Sequence, residues 1–567
     1  MVGKAAAALR PHLLPVPPIP PILPVPPFTV PSRAGAYNAA AMTFYDRTLA
    51  RMSRRELLRL GWILGAAAVA PPLLTRRVLA KPIFESYPFT LGVASGDPLP
   101  DGIVLWTRLA PRPLQGGGMP MNIVDVDWEI AHDARFQNVV QKGTALARPE
   151  LGHSVHVEVA GLEPSRDYWY RFRAGDELSQ AGRTRTAPPT GAPVDRLRFA
   201  VCGCQHYEDG YFTAFRRIAE EQFDFVFHTG DYIYEGRADG GRNDRRLRQH
   251  NGEETYTLGD YRNRYALYKS DRDLMAAHAS APWVVTWDDH EVDNNYAGDI
   301  DENNTPPELF VLRRAAAYQA YYESMPLRAS ALPSGSHMRI YRRLQFGNLI
   351  DLSVLDTRQW RSDQPCGDGS RTNCAARLAP TQTMMGPEQE KWLFDNLATV
   401  KARWTVIGQQ VYSFAYDRSK AFPDGQFSMD KWDGYVAARQ RLYNRLVETR
   451  APNPIVLSGD VHQHYGADLK MDFTDPRSAI VGTEFTNTSI TTSGDGADVG
   501  GSWEATRADN PHIKYHSSRR GYIACTATPS TMRADFKILD KVSVPDLPAR
   551  TGGSLVVQAG RPGTQTD

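Results

Sequence analysis

The chain has 567 residues, of which 42% are hydrophobic and 23% are charged, and its formal net charge is +1 at pH 7. This is the composition of a globular protein, and the length predicts about two to four domains with large cores. A near-neutral balance supplies no field for nucleic acid or an anionic membrane surface, so neither partner is expected.

The first 80 residues are typical of a leader rather than of a folded domain. Residues 1–51 include the proline-rich run LLPVPPIPPILPVPPFTVP, which is too broken by proline for a membrane helix. We interpret residues 1–51 as an over-extended start or a disordered extension. Met42 and Met52 are the alternative starts.

Residues 52–80 resemble a twin-arginine signal peptide. Arg54 and Arg55 precede an apolar segment at 61–74, and the small residue Ala80 suits cleavage. A membrane anchor is the first alternative, but the segment is shorter than the roughly 20 residues that a span needs. The start of a core helix is the second. We expect export by the twin-arginine translocase to the periplasm or the medium, without a membrane anchor after cleavage, and a monomer.

The five cysteines are Cys202, Cys204, Cys366, Cys374 and Cys525. An odd number in an exported chain leaves at least one thiol unpaired. Cys366 and Cys374 lie in a polar, glycine-rich loop and are candidates for a small disulfide, which spacing alone does not settle.

Residues 81–187 predict a small β domain. Val155, Val157 and Val159 alternate with polar residues, which is the period of a half-buried strand. A Gly-Leu-x-Pro turn then leads into an aromatic strand at 168–172, as in fibronectin type III domains. We expect a fibronectin-III-like β-sandwich that packs against or positions the larger domain at 188–567.

Six short apolar runs in residues 188–567 each end in side chains able to bind a metal or a phosphate. The runs lie at 197–201, 223–227, 283–286, 352–355, 404–407 and 455–457. The residues that follow them include Cys204, Asp231 with Tyr234, Asp289 with His290, Arg358, Gln410, and Asp460 with His462. Strand ends meet at one edge of a sheet in open α/β folds, so we expect one shared site there. Helices are predicted at 210–221, 309–323 and 389–397.

These residue types indicate a centre of two or three metal ions. The thiol of Cys204 and the phenol of Tyr234 favour trivalent iron over zinc. The oxygen-only ligands Asp289 and Asp460 favour calcium or magnesium. Such a centre clamps a phosphate ester and lowers the pKa of a bound water, which makes a hydroxide nucleophile.

Two further residues suit the same chemistry. Arg358 offers a planar fork of donors that matches phosphate oxygens. His290 is placed to protonate the leaving oxygen.

Each of these residues also has a structural interpretation. Cys204 could serve as a small hydrophobic residue on a buried strand, and Tyr234 could be a core aromatic residue. Arg358 is a candidate for an ion pair with Asp356, and Glu291 for either a turn or a calcium shell. Taken together, the set favours the metal site.

The sequence resembles the alkaline phosphatase D family of calcineurin-like metallophosphoesterases from about residue 85 to 540. The motifs that carry the resemblance are VASGDPLPDGIVLWTRLAP from Val93, GCQHYEDGYFTAF from Gly203, DFVFHTGDYIYE from Asp224, DYRNRYALYKSD from Asp260, APWVVTWDDHEVDNNYA from Ala281, FVLRRAAAYQAYYESMPLR from Phe310, VLDTRQWRSDQ from Val354, SGDVHQ from Ser458 and GTEFTNTSI from Gly482. The resemblance implies a four-layer α/β/β/α metallophosphoesterase domain with one ferric ion and two calcium ions.

The resemblance also implies a role for each matching residue. The implied iron ligands are Cys204, Asp231, Tyr234 and His462, and the implied calcium ligands are Asp289 and Asp460. Asp231 would bridge iron and calcium, Arg358 would bind the phosphoryl group, and His290 would assist the leaving group. Asn294 and Gln410 are further candidates for the calcium shells.

The sequence departs from the family pattern at two places. Gly203 replaces a serine before the ligand cysteine, which should not alter ligation. The chain is short after Val557, so a terminal helix that caps the site elsewhere in the family is expected to be missing, leaving a more open site.

The function expected is that of an exported phosphoesterase, an alkaline phosphatase acting on phosphate monoesters, diesters or both. A phosphodiesterase resembling phospholipase D, acting on lipids or wall teichoic acid, is the first alternative. A non-catalytic protein that binds phosphate polymers is the second.

Overall fold

The computed structural model describes residues 82–238, 247–418 and 425–566. The predicted extension at 1–51 and the predicted signal peptide at 52–80 lie outside these ranges. Among the described residues, no helix combines the length and the apolar character needed to cross a bilayer.

The strands are, in chain order, β1 (Val93–Leu99), β2 (Gly102–Arg108), β3 (Val124–Ala131), β4 (Val139–Ala147), β5 (Ser154–Ala160), β6 (Asp167–Ala174), β7 (Glu177–Leu178), β8 (Gly182–Arg185), β9 (Leu197–Cys202), β10 (Phe225–His228), β11 (Pro282–Val285), β12 (Arg342–Phe346), β13 (Ile350–Val354), β14 (Ser370–Arg371), β15 (Trp404–Gly408), β16 (Phe427–Ser428), β17 (Ile455–Ser458), β18 (His464–Lys470), β19 (Ile480–Thr486), β20 (Ile513–Ser517), β21 (Gly521–Ala527), β22 (Thr531–Leu539), β23 (Ala549–Gln558) and β24 (Arg561–Thr566). The α-helices are α1 (Thr213–Glu220), α2 (Leu258–Lys269), α3 (Arg272–Ser280), α4 (Pro307–Ser324), α5 (Gly386–Leu397), α6 (Val436–Glu448) and α7 (Gly501–Thr506).

Two large sheets form the body of the protein. The first has ten strands in the order β24-β23-β22-β21-β9-β10-β11-β1-β2-β5, and the second has seven in the order β12-β13-β15-β17-β19-β18-β20. Strands β9, β10 and β11 run parallel in the first sheet, and β13, β15 and β17 run parallel in the second. The six predicted strands are therefore confirmed, but their ends belong to two sheets. The prediction of a site at the edge of a single sheet is wrong.

Alternation of apolar side chains places one core between the sheets and one on each outer face. On β10, Phe225 and Phe227 pack into the core shared with Val406 and Leu457 of the second sheet. The intervening Val226 belongs to the core under α1 to α4. A third core joins the outer face of the second sheet to α5 and α6. Burial of both faces explains why these parallel strands are continuous apolar runs.

The helices begin where capping residues satisfy their first backbone N–H groups. Thr257 and Asp260 form a capping box at α2, and the Asp271 carboxylate accepts from two backbone N–H groups at α3. Pro307 occupies the first turn of α4. The helices predicted at 210–221, 309–323 and 389–397 are confirmed as α1, α4 and α5.

Residues 82–187 divide between two sheets. Strands β1, β2 and β5 extend the ten-stranded sheet, and β1 pairs with β11 in parallel. Strands β4, β3, β6, β7 and β8 form a separate five-stranded sheet, and a core between them and β2 and β5 contains Leu105, Ile130 and Tyr170. The fibronectin-III-like domain is not confirmed, because one side of this sandwich is the end of the larger sheet.

A disulfide joins Cys366 to Cys374 and closes the loop that carries β14. Strand β14 pairs with β16 in a separate two-stranded sheet. Cys202, Cys204 and Cys525 are free and buried.

Candidate metal centre

Four of the predicted metal ligands adopt left-handed backbone conformations. The φ angles are 58° at Cys204, 54° at Asp231, 66° at Asp460 and 57° at His462. Such angles cost a non-glycine residue about 1–2 kcal/mol each and persist where the surrounding structure imposes them. The cost at four neighbouring positions indicates that these loops are shaped for a function.

Glycines let three ligand loops approach one another. A Cβ atom on Gly203 would lie 2.4 Å from Oγ1 of Thr229, and one on Gly459 would lie 2.3 Å from the same atom. A Cβ atom on Gly230 would lie 2.4 Å from that of Asp288. Gly203 therefore packs closely against Thr229. A serine at this position, as in the family pattern, would require Thr229 to move.

The first group of ligands surrounds Asp231. Ligand atoms of Cys204, Asp231 and His462 all lie within 4.8 Å of one another. The Tyr234 hydroxyl donates to Asp231 Oδ2 at 2.9 Å and lies 3.2 Å from His462 Nε2. It accepts from Thr492 Oγ1 at 2.8 Å. The four predicted iron ligands are thus brought together.

A second and a third group of ligands, both mostly acidic, overlap with the first. Ligand atoms of Asp231, Asp289 and His290 lie within 4.8 Å of one another, and so do those of Asp288, Asp289 and Asp460. Asp231 links the first group to the second, and Asp289 links the second to the third. All of the predicted ligands therefore form one continuous cluster.

These residues fit a metal centre on their own chemistry. Asp231 is 1% exposed, yet its Oδ1 atom has no hydrogen-bond partner among the described residues. A buried carboxylate oxygen without a donor is costly unless a cation binds it. Thiol, phenol, imidazole and carboxylate donors suit a transition metal, and the acidic side of the cluster suits calcium.

When no cation is bound, burial keeps the ligands around Asp231 in their uncharged forms. It raises the pKa of Asp231 to about 8, with help from Asp289 and Asp460. Burial and neighbouring carboxylates raise the pKa values of Cys204 and Tyr234 well above their ordinary values. A bound cation reverses this effect, because it stabilises the deprotonated ligands.

Arg358 lies at the centre of the acidic side and has no exposed surface. Its Nε donates to Asp288, while Nη1 and Nη2 donate to Asp430 and Asp460, both at 2.8 Å. Nη2 also lies 3.5 Å from Asp289 Oδ1. Burial opposes ionisation of Asp289, but the positive charges of Arg358, His290 and Lys431 together outweigh it and hold the pKa of Asp289 below its ordinary value.

Glu235 orients the predicted leaving-group residue. The Nδ1 atom of His290 lies 2.7 Å from Glu235 Oε2, so that Nε2 is left for another partner. Burial lowers the pKa of His290, but the carboxylates of Glu235 and Asp231 outweigh it and hold that pKa well above its ordinary value. The pair is suited to donate a proton at neutral or alkaline pH.

Two residues proposed for the calcium shells have other partners. The Gln410 amide bonds to four groups across the sheets, and the Asn294 side chain donates to Glu302 at 2.6 Å. Asp356 accepts from the backbone N–H of Arg358 rather than from its guanidinium. These hydrogen bonds give Gln410, Asn294 and Asp356 structural roles.

Glu291 holds the Asp231 turn in place. Its buried carboxylate accepts from the backbone N–H groups of Asp231, at 3.1 Å, Tyr232 and Asp288. Three N–H donors leave the carboxylate satisfied without a cation. Of the two interpretations of Glu291, the structure favours the turn.

Sequence reasoning missed four residues of the site. Glu235 directly follows Tyr234 in the same motif, so its place beside a predicted ligand could have identified it. Asp430, Lys431 and Thr492 lie on loops that follow no predicted strand, and no pattern in the sequence marks them.

Comparison with known proteins decides the family. A model of the "PhoD-like phosphatase" family matches residues 199–536, and a model of its N-terminal domain matches residues 76–188. The chain belongs to the PhoD-like phosphatase family. Alkaline phosphatase D of Bacillus subtilis (strain 168) is 50% identical over 487 residues, which cover 86% of this chain and 83% of that relative.

One solved structure agrees with this membership, and a second is similar in fold. The structure titled "Structure of PhoD" is 49% identical, with a TM-score of 0.84 over 86% of this chain and 93% of that one. Purple acid phosphatase PPD1 from yellow lupin is 12% identical, with a TM-score of 0.52 over 83% of this chain and 74% of that one. The second likeness shows the fold alone.

Proposed function

We propose that this PhoD-like phosphatase hydrolyses phosphate esters at a centre of one ferric ion and two calcium ions. Cys204, Asp231, Tyr234 and His462 would hold the iron, and Asp289 and Asp460 would hold calcium. The observation that carries the proposal is Asp231, whose buried Oδ1 atom lacks a partner among the described residues and which belongs to two ligand groups.

Bound metal ions would supply positive charge for the phosphoryl oxygens and lower the pKa of a water molecule. The protein's own side chains would position the substrate and supply the proton. Arg358 aligns the calcium-side carboxylates, and its guanidinium is the proposed contact of the phosphoryl group.

His290 is the proposed proton donor to the leaving oxygen. Its Nδ1 is fixed by Glu235, which leaves Nε2 to donate. Its raised pKa keeps the ring protonated where an unperturbed histidine would be neutral.

Replacement of the shared carboxylate tests the proposal. In Asp231→Asn we expect hydrolysis to fall by about 10³-fold or more, because several kcal/mol of charge stabilisation are lost. Asp472→Asn, at an exposed carboxylate, is the matched control. Full activity of Asp231→Asn would show that the centre is not used for hydrolysis.

A comparison of hydrolysis rates would decide whether the protein prefers phosphate monoesters or diesters. Initial rates on a chromogenic monoester and on the matching bis-ester, measured with one preparation, assign the substrate class. Loss of both activities in Asp231→Asn would place them at the same centre.

We also propose that the protein is exported. The arginine pair at 54–55 supports this proposal, and so does the Cys366–Cys374 disulfide, since disulfides persist in oxidising compartments. Replacement of Arg54 and Arg55 by lysine should retain the protein in the cytoplasm. Normal export of that variant would exclude the twin-arginine route.

A further inference from the structure

Lys431 is a second buried cation on the acidic side of the centre, and it contacts two carboxylates directly. Its ammonium group lies 2.7 Å from Asp430 Oδ2 and also contacts Asp460 Oδ2. The residue is only 8% exposed.

The contact with Asp460 distinguishes the two sides of the centre. Asp460 Oδ2 is bound by Lys431, and Asp460 Oδ1 accepts from Arg358 Nη2 at 2.8 Å. On the other side, Asp231 Oδ1 has no hydrogen-bond partner among the described residues. A cation can therefore bind Asp231 without displacing a protein group, whereas a cation at Asp460 meets two protein cations.

The two cations at Asp460 differ in their freedom to move. The Arg358 guanidinium is also fixed by Asp288 and Asp430 and has no exposed surface. Lys431 carries a compact charge on a flexible four-carbon stem, and Asp430 offers it an alternative partner. Lys431 can thus leave Asp460 and keep one ion pair.

We propose that Lys431 is an internal cation that competes with calcium for Asp460 and so sets the calcium affinity of the centre. The inference rests on the proposed function, which makes Asp460 a calcium ligand. Like charges at such close range repel strongly in a buried site, so calcium binding must displace the ammonium group. Lys431 then holds the carboxylates together in the absence of calcium and weakens calcium binding.

Removal of the charge should have opposite effects on the calcium-free and calcium-bound protein. In Lys431→Met, Asp430 and Asp460 lose a counter-charge, so the calcium-free protein should melt at a lower temperature. The same change should lower the Kd for calcium by about tenfold, because one repulsive charge is removed. The rise in Tm on addition of calcium should therefore be larger than in the wild type.

The experiment uses the full protein, freed of calcium by a chelator and then titrated with Ca²⁺. Calorimetry gives Kd, and a melting curve at each calcium concentration gives Tm. Lys431→Arg keeps the charge and should stay close to the wild-type Kd. Lys391→Met is the matched control, because Lys391 is exposed and pairs with Asp395 on α5.

The outcomes separate this inference from the proposed function. If the wild type binds calcium and Lys431→Met binds it with the same or a higher Kd, the competition is overturned while the metal assignment stands. An equal fall in Tm with and without calcium would also overturn it, because Lys431 would then be a purely structural partner. If the wild type binds no calcium, the metal assignment fails and this inference fails with it.

Discussion

At the scale of single residues, the centre is a set of buried acids whose protonation depends on the nearest cation. Asp231 and Asp289 are both buried, but only Asp289 lies near the Arg358 guanidinium. Burial raises the pKa of Asp231 to about 8, whereas neighbouring positive charges, that of Arg358 first, hold the pKa of Asp289 below its ordinary value. The proton on Asp231 is therefore one that an arriving metal ion must displace, and an iron ion must also displace the protons of Cys204 and Tyr234.

Metal affinity should consequently rise with pH. Below pH 8 the folded, metal-free protein keeps Asp231 protonated, so metal binding releases a proton and is weakened by acid. Between pH 6 and pH 8 the apparent affinity for calcium, whose binding at Asp231 displaces one proton, should increase by about tenfold per pH unit. Metal titrations at several pH values measure this slope, and a pH-independent affinity would contradict the assignment of Asp231.

Glu235 should control the alkaline side of the pH profile through His290. Glu235→Gln removes a carboxylate that raises the pKa of His290, so that pKa should fall. The protonated ring is then lost at a lower pH, and the alkaline limb of kcat/KM should shift to lower pH, with a fall in rate of about 10²-fold. Glu448→Gln, at an exposed carboxylate that pairs with Arg445 on α6, is the control and should leave the limb in place.

At the scale of elements, the site is made where the carboxyl ends of strands from two facing sheets meet. Gln410, after β15, donates to Thr286 Oγ1 at 2.7 Å and to the Leu355 carbonyl at 2.9 Å. Its carbonyl accepts from the backbone N–H and the hydroxyl of Thr357, at 3.0 and 2.7 Å. One amide therefore joins the end of β11 in the first sheet to the loop after β13 in the second.

Loss of this amide should weaken the fold and leave the ligand set intact. Gln410→Ala leaves several buried groups unsatisfied, so we expect a loss of about 3 kcal/mol in the free energy of unfolding. Metal content per folded protein should not change, because Gln410 is not a ligand. Denaturant unfolding and elemental analysis check both expectations. The control is Gln440→Ala, whose side-chain amide donates to Asn444 on the same helix. Loss of one calcium ion in Gln410→Ala would show that Gln410 is a ligand.

Much of the site was predictable from strand ends, because apolar runs and the residues after them are local signals. Asp231, Asp289 and Asp460 were found in this way. The apolar runs alone did not predict which strand joins which sheet, since β10 and β17 look alike as buried parallel strands; two β layers were expected only from the family resemblance. The roles of Gln410 and Lys431 depend on contacts between distant loops, which periodicity does not encode.

At the scale of the whole molecule, the N-terminal strands are part of the main sheet. Strand β1 pairs with β11, and the Trp106 Nε1 on β2 donates to the Glu323 carbonyl at the end of α4 at 3.0 Å. His156 on β5 also bonds to the carbonyls of Tyr322 and Met325, both at 3.0 Å. Residues 82–187 therefore cover an edge of the sheet that carries the metal centre.

Removal of residues 82–187 should prevent stable folding of the remainder. A chain that begins at 188 exposes the edge of β11 and the apolar surface around Trp283, which favours aggregation. We expect little soluble protein from it and normal yield from a chain that begins at 82. Soluble, active protein from residue 188 onwards would show that residues 82–187 are dispensable.

Elemental analysis of the purified protein, alongside Asp231→Asn, tests the central claim most directly. The account predicts one iron with calcium in the active protein, and loss of both metal and phosphatase activity in the variant. Zinc as the only metal would contradict the assignment of iron and calcium, and full activity without any bound metal would contradict the metal-dependent mechanism itself.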